Sequence, residues 1–491
     1  MAARDSADGI EQAPSAPQGR FDGFSGFSGF SGMGGFCLIW AGQLVTLLGT
    51  GMVKFAFIVR AWSAGEHATT VVGLFLAAFL PKMLVSPVAG ALVDRWSKKV
   101  VMQMTDLGGL VAIGALSAIY FLGHLQLWHI YVALALAAVA EAFQYPAFSA
   151  SIPLLVPREK LQRASGMMST AQSITEIGSP SLAGILIGTV GLGSMLVVDT
   201  ASFAVAIATI VAVAVADDRT AADRGPVALW SGSAEGLRYL WDTRSLRALT
   251  MVFLVANVSA VFGFAVLPSM ILARSGNDSA TWAVVSVCTG IGGILGGLAM
   301  AALKTPRSRI RVLLLAMTGT GLVGQSLMAT GRNLPLWCAA ELGGAVLLPI
   351  VNGMLMTMLQ TKVPRRLRGR VFGSSMFLAQ CAVPLAFLLS GPLADHVFEP
   401  AARTGSGIPG LLAPLIGRGP GTGMAAMLFL AGIGTAAVAV AALGVRSLRN
   451  IDTLIPDLGP DADPSDQTDP AGPVTSTTGD DAKSGGSLSV A

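Results

Sequence analysis

The strongest constraint in this sequence is where charge is absent. Eight windows contain no Asp, Glu, Lys or Arg: residues 107–140, 177–198, 248–273, 279–303, 312–331, 342–361, 371–394 and 419–445. Each is at least as long as the ~20 residues a helix needs to cross a hydrocarbon core. Windows with one charged interruption add spans around Lys54, Lys82, Glu141 and Glu176, and the first window holds most of two. The pattern predicts an all-α membrane protein of twelve transmembrane helices. They are centred in 36–61, 70–93, 100–123, 127–150, 164–190, 194–216, 246–272, 279–303, 310–331, 335–360, 369–393 and 421–445. Helices joined by short turns are required, because backbone groups in lipid must find partners within their own segment. Of the 491 residues, 53% are apolar and 12% charged. That charged fraction is about half the usual value for a soluble domain. A soluble cytosolic enzyme is excluded, and so is a mainly disordered chain.

Lys and Arg set the orientation. With the N-terminus inside, the cytoplasmic turns carry twenty, and the opposite side carries five: Arg60, Arg274, Arg332, Arg403 and Arg418. The positive-inside rule then places both termini in the cytoplasm of a multi-pass protein of the cell membrane. The polar segments 1–35, with its GFSGFSGFSG run, and 447–491 are expected to be disordered tails. No signal peptide is expected, since the first apolar run follows about 35 polar residues. The longest cytoplasmic connection, 217–245, separates a six-helix bundle at 36–216 from another at 246–446. Within it Leu237, Tyr239, Leu240 and Trp241 alternate with Glu235, Arg238 and Asp242, the pattern of an interfacial helix.

Catalytic chemistry finds no foothold. Cys37, Cys288, Cys338 and Cys381 are scattered through apolar spans without metal-ligand spacing. His67, His124, His129 and His396 all map to the outer side. There is no Gly-Lys pair, hence no P-loop. Gly319, Gly321 and Gly324 match a dinucleotide-binding spacing, but they lie inside an uncharged span, where close helix packing accounts for them.

The turn between spans two and three reads Gly90-Ala-Leu92-Val-Asp94-Arg95-Trp-Ser-Lys98-Lys99. It resembles the signature loop of the major facilitator superfamily, with Ser97 where that family usually has glycine. Other segments are similar to the efflux branch that includes macrolide exporters and the enterobactin exporter. They are Leu80-Pro81 with Pro87, Phe143-Gln144-Tyr145-Pro146-Ala147, Leu155-Val156-Pro157, Asp199 with Ser202-Phe203, and Glu235-Gly236-Leu237-Arg238-Tyr239. Gly369-Arg370-Val371-Phe372 and Gly391-Pro392-Leu393-Ala394-Asp395 complete the set, so that the resemblance covers about 36–446. The second-half counterpart of the signature loop has Met300 and Ala301 where an aspartate is expected. The resemblance implies a major facilitator fold and a gating role for Gly90, Asp94, Arg95, Lys98 and Lys99. Asp94 would accept hydrogen bonds from the N-terminal end of span eleven, near Gly369. A marker of the membrane boundary is the simpler reading of the same charges.

Charged residues inside spans cost on the order of 2.5–3.5 kcal/mol each, so they face a cavity or a partner. Gln43, Thr46, Thr50 and Lys54 form a stripe on span one; Ser169, Gln172, Ser173 and Glu176 form another on span five. The following Gly178-Ser179-Pro180 and Gly184 resemble the glycine-proline element of drug–proton antiporters. Glu141, Gln144 and Tyr145 share a face of span four. Glu176 and Glu141 are therefore expected to face a central cavity, at least one of them carrying a coupled proton. The alternative is a static ion pair such as Lys54 with Glu176. Glu341 and Lys82 are weaker candidates, and Asp106 and Asp199, taken as near span ends, read as structural. Asn352, Gln360 and Gln380 would line the second half or bond between helices.

Together these features predict a secondary transporter that exports a small amphipathic molecule, antibiotic-like or a siderophore, by proton antiport with alternating access. A nutrient importer and a non-transporting membrane sensor are the rivals. Expected partners are a small-molecule substrate, protons and membrane lipid, with no nucleic acid and no cofactor, and the chain is expected to act as a monomer.

Overall fold

Long apolar runs can satisfy their own backbone only as helices, and the computed structural model consists of them. It describes residues 32–213, 237–303, 306, 308–364, 367–449 and 451. Most of both expected tails and most of the connection 217–245 lie outside the described residues. The first six helices are α1 (Gly32–Ser63), α2 (Ala68–Arg95), α3 (Lys98–Phe121), α4 (Leu127–Leu155), α5 (Leu161–Thr189) and α6 (Gly191–Ala212). Six more follow: α7 (Arg244–Arg274), α8 (Ser279–Ala302), α9 (Arg309–Thr330), α10 (Leu334–Lys362), α11 (Arg368–Cys381 continued by Val383–Leu393) and α12 (Thr422–Gly444). Among the described residues there is no β-strand.

Eleven of the described helices are long and apolar enough to cross a membrane. The exception is α5. It has the same 29 residues as α4, but Arg163, Gln172, Ser173, Glu176 and Ser179 dilute its apolar content. Several helices depart from the expected straight spans. α1 begins at Gly32 rather than 36, because Phe36 is already packed against Phe148. α7 turns at Ala265–Val266 ahead of Pro268, α9 passes through a π-helical stretch at Thr320–Leu327, and α11 breaks at Ala382 before Pro384. Such breaks survive in lipid only where neighbouring helices re-satisfy the freed carbonyls. Residues 237–242 of the connection are helical, as expected there. Leu240 is fully buried against Leu246, Leu359, Val363, Leu367 and Val371, so this segment docks on the ends of α10 and α11.

In the first half α1 packs on α5 and α6, α2 on α4, and α3 on α4 and α6. In the second, α7 packs on α11 and α12, α8 on α10, and α9 on α10 and α12. Glycines let the backbones meet. A Cβ at Gly321 would stand 2.5 Å from the Gly432 carbonyl oxygen, and one at Gly324 would stand 3.0 Å from Gly344 Cα, which settles that glycine triple as packing.

The halves meet through α5 against α8 and α2 against α11. Advancing each helix number by six exchanges these two pairings, as expected of repeated halves. Four hydrogen bonds between the halves lie together at one end. Trp62 Nε1 donates to Asn277 Oδ1 at 2.6 Å, and Asn277 Nδ2 donates to Glu66 Oε1 at 3.2 Å. Ala68 N and Thr69 N, at the start of α2, each donate to Asp395 at 2.8 Å. Phe75 stacks on Phe387 at 5.8 Å between centroids, and Phe55 on Trp282 at 6.3 Å. These contacts close one end of the molecule. Toward the opposite end Leu84 and Val88 of α2 and Phe377 of α11 are exposed.

Candidate functional site

Three helices of the first half bring charge to mid-span. Lys54 of α1 places Nζ 2.5 Å from Glu141 Oε1, and Lys82 of α2 places Nζ 3.4 Å from Glu141 Oε2. An ion pair of Lys54 with Glu176, the example given for the static alternative, does not form; Lys54 pairs with Glu141, so α4, not α5, supplies the partner. The Lys54 and Glu141 side chains remain 36% and 35% exposed. Charged groups at this depth avoid lipid, and Glu141 borders a small cavity of about 70 Å³ shared with Gln43, Asp106 and Gln144 of the first half. Glu176 and Gln172 are exposed on α5, and no ion pair to Glu176 occurs among the described residues. Its carboxylate faces the bare backbone of Gly293 on α8, where an added Cβ would stand 4.0 Å away.

The rest of the α1 stripe turns inward. Gln43 Nε2 donates to Asp106 Oδ2 at 2.9 Å, while Gln144 Nε2 donates to Asp106 Oδ1 at 3.0 Å and to Gln43 Oε1 at 2.7 Å. Thr105 Oγ1 donates to Gln144 Oε1. Asp106 therefore does not sit at a span end. It lies two turns inside α3, tied to α1 and α4. Asp199 is also interior and fully buried, with Oδ1 accepting from Thr50 at 3.1 Å and from Ser202 at 3.3 Å. Its Oδ2 has no partner among the described residues. Glu341 accepts from Thr289 at 2.9 Å between α8 and α10, away from the triad.

Tyr145, expected beside Glu141, is 67% exposed and takes no part in the charged cluster. The side chains of Gly90, Asp94 and Arg95 lie outside the described residues. Lys98 opens α3, and Lys99 Nζ donates to the Val211 and Val213 carbonyls at 3.2 and 2.6 Å, capping the end of α6. The Gly391–Asp395 segment has a defined role at the closed end. A Cβ at Gly391 would stand 2.6 Å from Thr69 Cα, so glycine lets α11 approach α2, and Asp395 then caps α2. Sequence reasoning did not foresee that Lys82 pairs with Glu141 or that Asp106 is tied to α1 and α4. The available signal was a glutamine on each neighbouring span, Gln43 and Gln144, able to bond an acid at the same depth.

Residues 25–420 match the family model described as transmembrane secretion effector. The chain belongs to this family of major facilitator transporters. Relatives of this chain include macrolide efflux protein A of Streptococcus pyogenes, 26% identical over 374 residues, or 74% of this chain and 90% of that protein. The multidrug efflux pump Tap of Mycolicibacterium fortuitum is 30% identical over 384 residues, covering 75% and 90%. Among solved structures, a bacterial homologue of the human lysosomal transporter Spinster, inward-facing and unoccupied, aligns with TM-score 0.62 at 15% identity, over 87% of this chain and 99% of that one. An inward-facing bacterial homologue of ferroportin gives TM-score 0.57 at 16% identity, covering 82% and 98%. At these identities the likeness shows the fold alone. The chain is thus a multi-pass membrane transporter of efflux-pump kinship that acts on a small molecule, and it is not an enzyme.

Proposed function

We propose that this protein exports a basic, antibiotic-like amphiphile across the cell membrane in exchange for protons. The supporting observation is the distribution of charge at mid-span. Glu141 is held by two lysines, whereas Glu176, on α5, has no ion pair among the described residues. A protonated amine and a proton can then compete for Glu176, so that arrival of one expels the other. Glu176, an acid without an ion pair among the described residues, favours a cation over an anionic siderophore there, while the lysines occupy Glu141. With both termini cytoplasmic by the positive-inside rule, the closed end faces outward, and substrate enters from the opposite, cytoplasmic end. Export requires the closed end to open. Asp395 caps α2 at that end, and the role implied for Asp94, capping α11 at the other, is its reciprocal. Each chain encloses its own passage and works as a monomer.

Inside-out vesicles with an acidified lumen test this reading. A macrolide or another basic amphiphile should trigger proton release in the wild type and not in Glu176→Gln. Release that persists in Glu176→Gln and is lost in Glu141→Gln moves the proton to Glu141. A correctly folded protein silent to every basic amphiphile would overturn antiport.

A further inference from the structure

Asp199 is a buried acid that the proposed exchange at Glu176 leaves idle. It lies on α6, fully buried against α1. Gly49 of α1 lets the backbone come close, since a Cβ there would stand 2.7 Å from Asp199 Oδ1. That oxygen accepts from Thr50 and Ser202, while Oδ2 has no hydrogen-bond partner among the described residues. A charged carboxylate with one dry, unbonded oxygen is costly inside a span. A proton on Oδ2 removes the charge.

Lys54 is placed to take that proton's role. It follows Thr50 by one turn of α1 and shares its face. The residue that bonds Asp199 and the residue that pairs with Glu141 therefore point the same way. Three ionisable residues lie within the helices packed on α6: Lys54 on α1, Asp106 on α3 and Glu176 on α5. Of these, Lys54 is the one whose charge acts on Asp199 through space. Lys99 of α3 is engaged at the far end of α6, by the Val211 and Val213 carbonyls.

Glu141 can spare Lys54, because Lys82 stands 3.4 Å from its other oxygen. An ionised Asp199 would gain a counter-charge from the same movement. With Asp199 ionised, the two lysines and the two acids balance; with it protonated, one positive charge is left over. Thr50 and Glu141 both border the inner cavity of about 70 Å³, which is polar and large enough for water to reach this corner.

We propose that Asp199 is a second proton-binding residue of this transporter, and that Lys54 discharges it by moving from Glu141 to Asp199. The O–H bond breaks, its electron pair stays on Asp199 Oδ2, and the proton passes to water in the inner cavity. Lys54 remains an ammonium throughout and changes only its partner. The proposal rests on the antiport reading, to which it adds a proton beside that of Glu176. A static tie between α1 and α6 is the simpler role for Asp199, and it implies no coupling to Glu141.

The test reads the protonated acid directly. Full-length protein with aspartate isotope-labelled at the side-chain carboxyl is placed in phosphatidylcholine nanodiscs, and its carboxylic-acid C=O stretch is recorded by infrared spectroscopy at neutral pH. The isotope shift separates aspartate from glutamate. The wild type should show an aspartic-acid component that Asp199→Asn removes. Glu141→Gln frees Lys54, so that component should be lost there too, and adding Lys54→Met should restore it. The last two variants keep Asp199, so they decide the question even if Asp199→Asn does not fold. A component unchanged in Asp199→Asn or in Glu141→Gln, or one not restored by removing Lys54, would overturn the proposal. The spectra need no transport. Coupled bands in a protein silent in the vesicle assay would sink antiport and leave Asp199 as a proton site. Vesicle exchange with uncoupled bands would do the reverse.

Discussion

Two lysines on one carboxylate give the Lys54–Glu141–Lys82 cluster an excess of one positive charge, so it repels a bare cation as built. Removing Lys54 leaves Glu141 with Lys82 alone, at 3.4 Å. Because the side chains are about a third exposed, solvent screens the pair and its stability contribution is about 1 kcal/mol. Lys54→Met should therefore lower the melting temperature by only a few degrees. Efflux, however, should fall roughly tenfold or more, equivalent to about 1.4 kcal/mol of lost substrate or gating energy, and Lys54→Arg should retain part of it. Drug accumulation in whole cells, alongside thermal stability of the purified protein, checks both halves of that statement. The presence of Lys54 and Glu141 in the cavity was legible from their cost in lipid. Their pairing was not, because Glu141 and Glu176 lie on two helices that both neighbour α1, and only the packing chooses between them. Asp106 was misplaced for a simpler reason. The charge-free window begins at 107, yet the helix starts at Lys98 and carries the acid two turns inside.

Among the elements, α2 and α11 hold the closed end. His67, at the start of α2, makes no side-chain cap of its own, and Asp395 supplies one from the other half. Losing such a cap costs about 1 kcal/mol, a roughly fivefold change in a two-state population. Asp395→Ala should therefore widen the spin-label distance distribution between the closed ends of α2 and α11 toward longer separations. An unchanged distribution would mean that the aromatic stacks of Phe75, Phe387, Phe55 and Trp282 hold that end unaided. The existence of the helices was legible because charge-free windows as long as the bilayer is thick have no other solution. Their partners were not legible, since lipid is as apolar as a neighbouring helix and leaves no one-sided pattern to read. Close-approach glycines such as Gly391 hold that information, but they show it only once both backbones are in place.

For the molecule as a whole, the two cross-half pairings use helices of very different polarity. α2, α8 and α11 are apolar enough to enter a bilayer alone, and α5 is not. The consequence concerns how the protein is made. Helices leave the ribosome one at a time, and α5 presents Gln172 and Glu176 to a lateral exit that penalises a central charge by about 2.5–3.5 kcal/mol. Only Val190 separates α5 from α6, so the two can enter as a hairpin, with α6, strongly apolar despite Asp199, carrying its neighbour in. A chain truncated at residue 190 with a glycosylation reporter should show incomplete insertion of α5, and one truncated at 216 should show nearly full insertion. Complete insertion at 190 would contradict this. The polarity that suits α5 to border a passage thus makes its arrival in the bilayer depend on a helix that has not yet been synthesised.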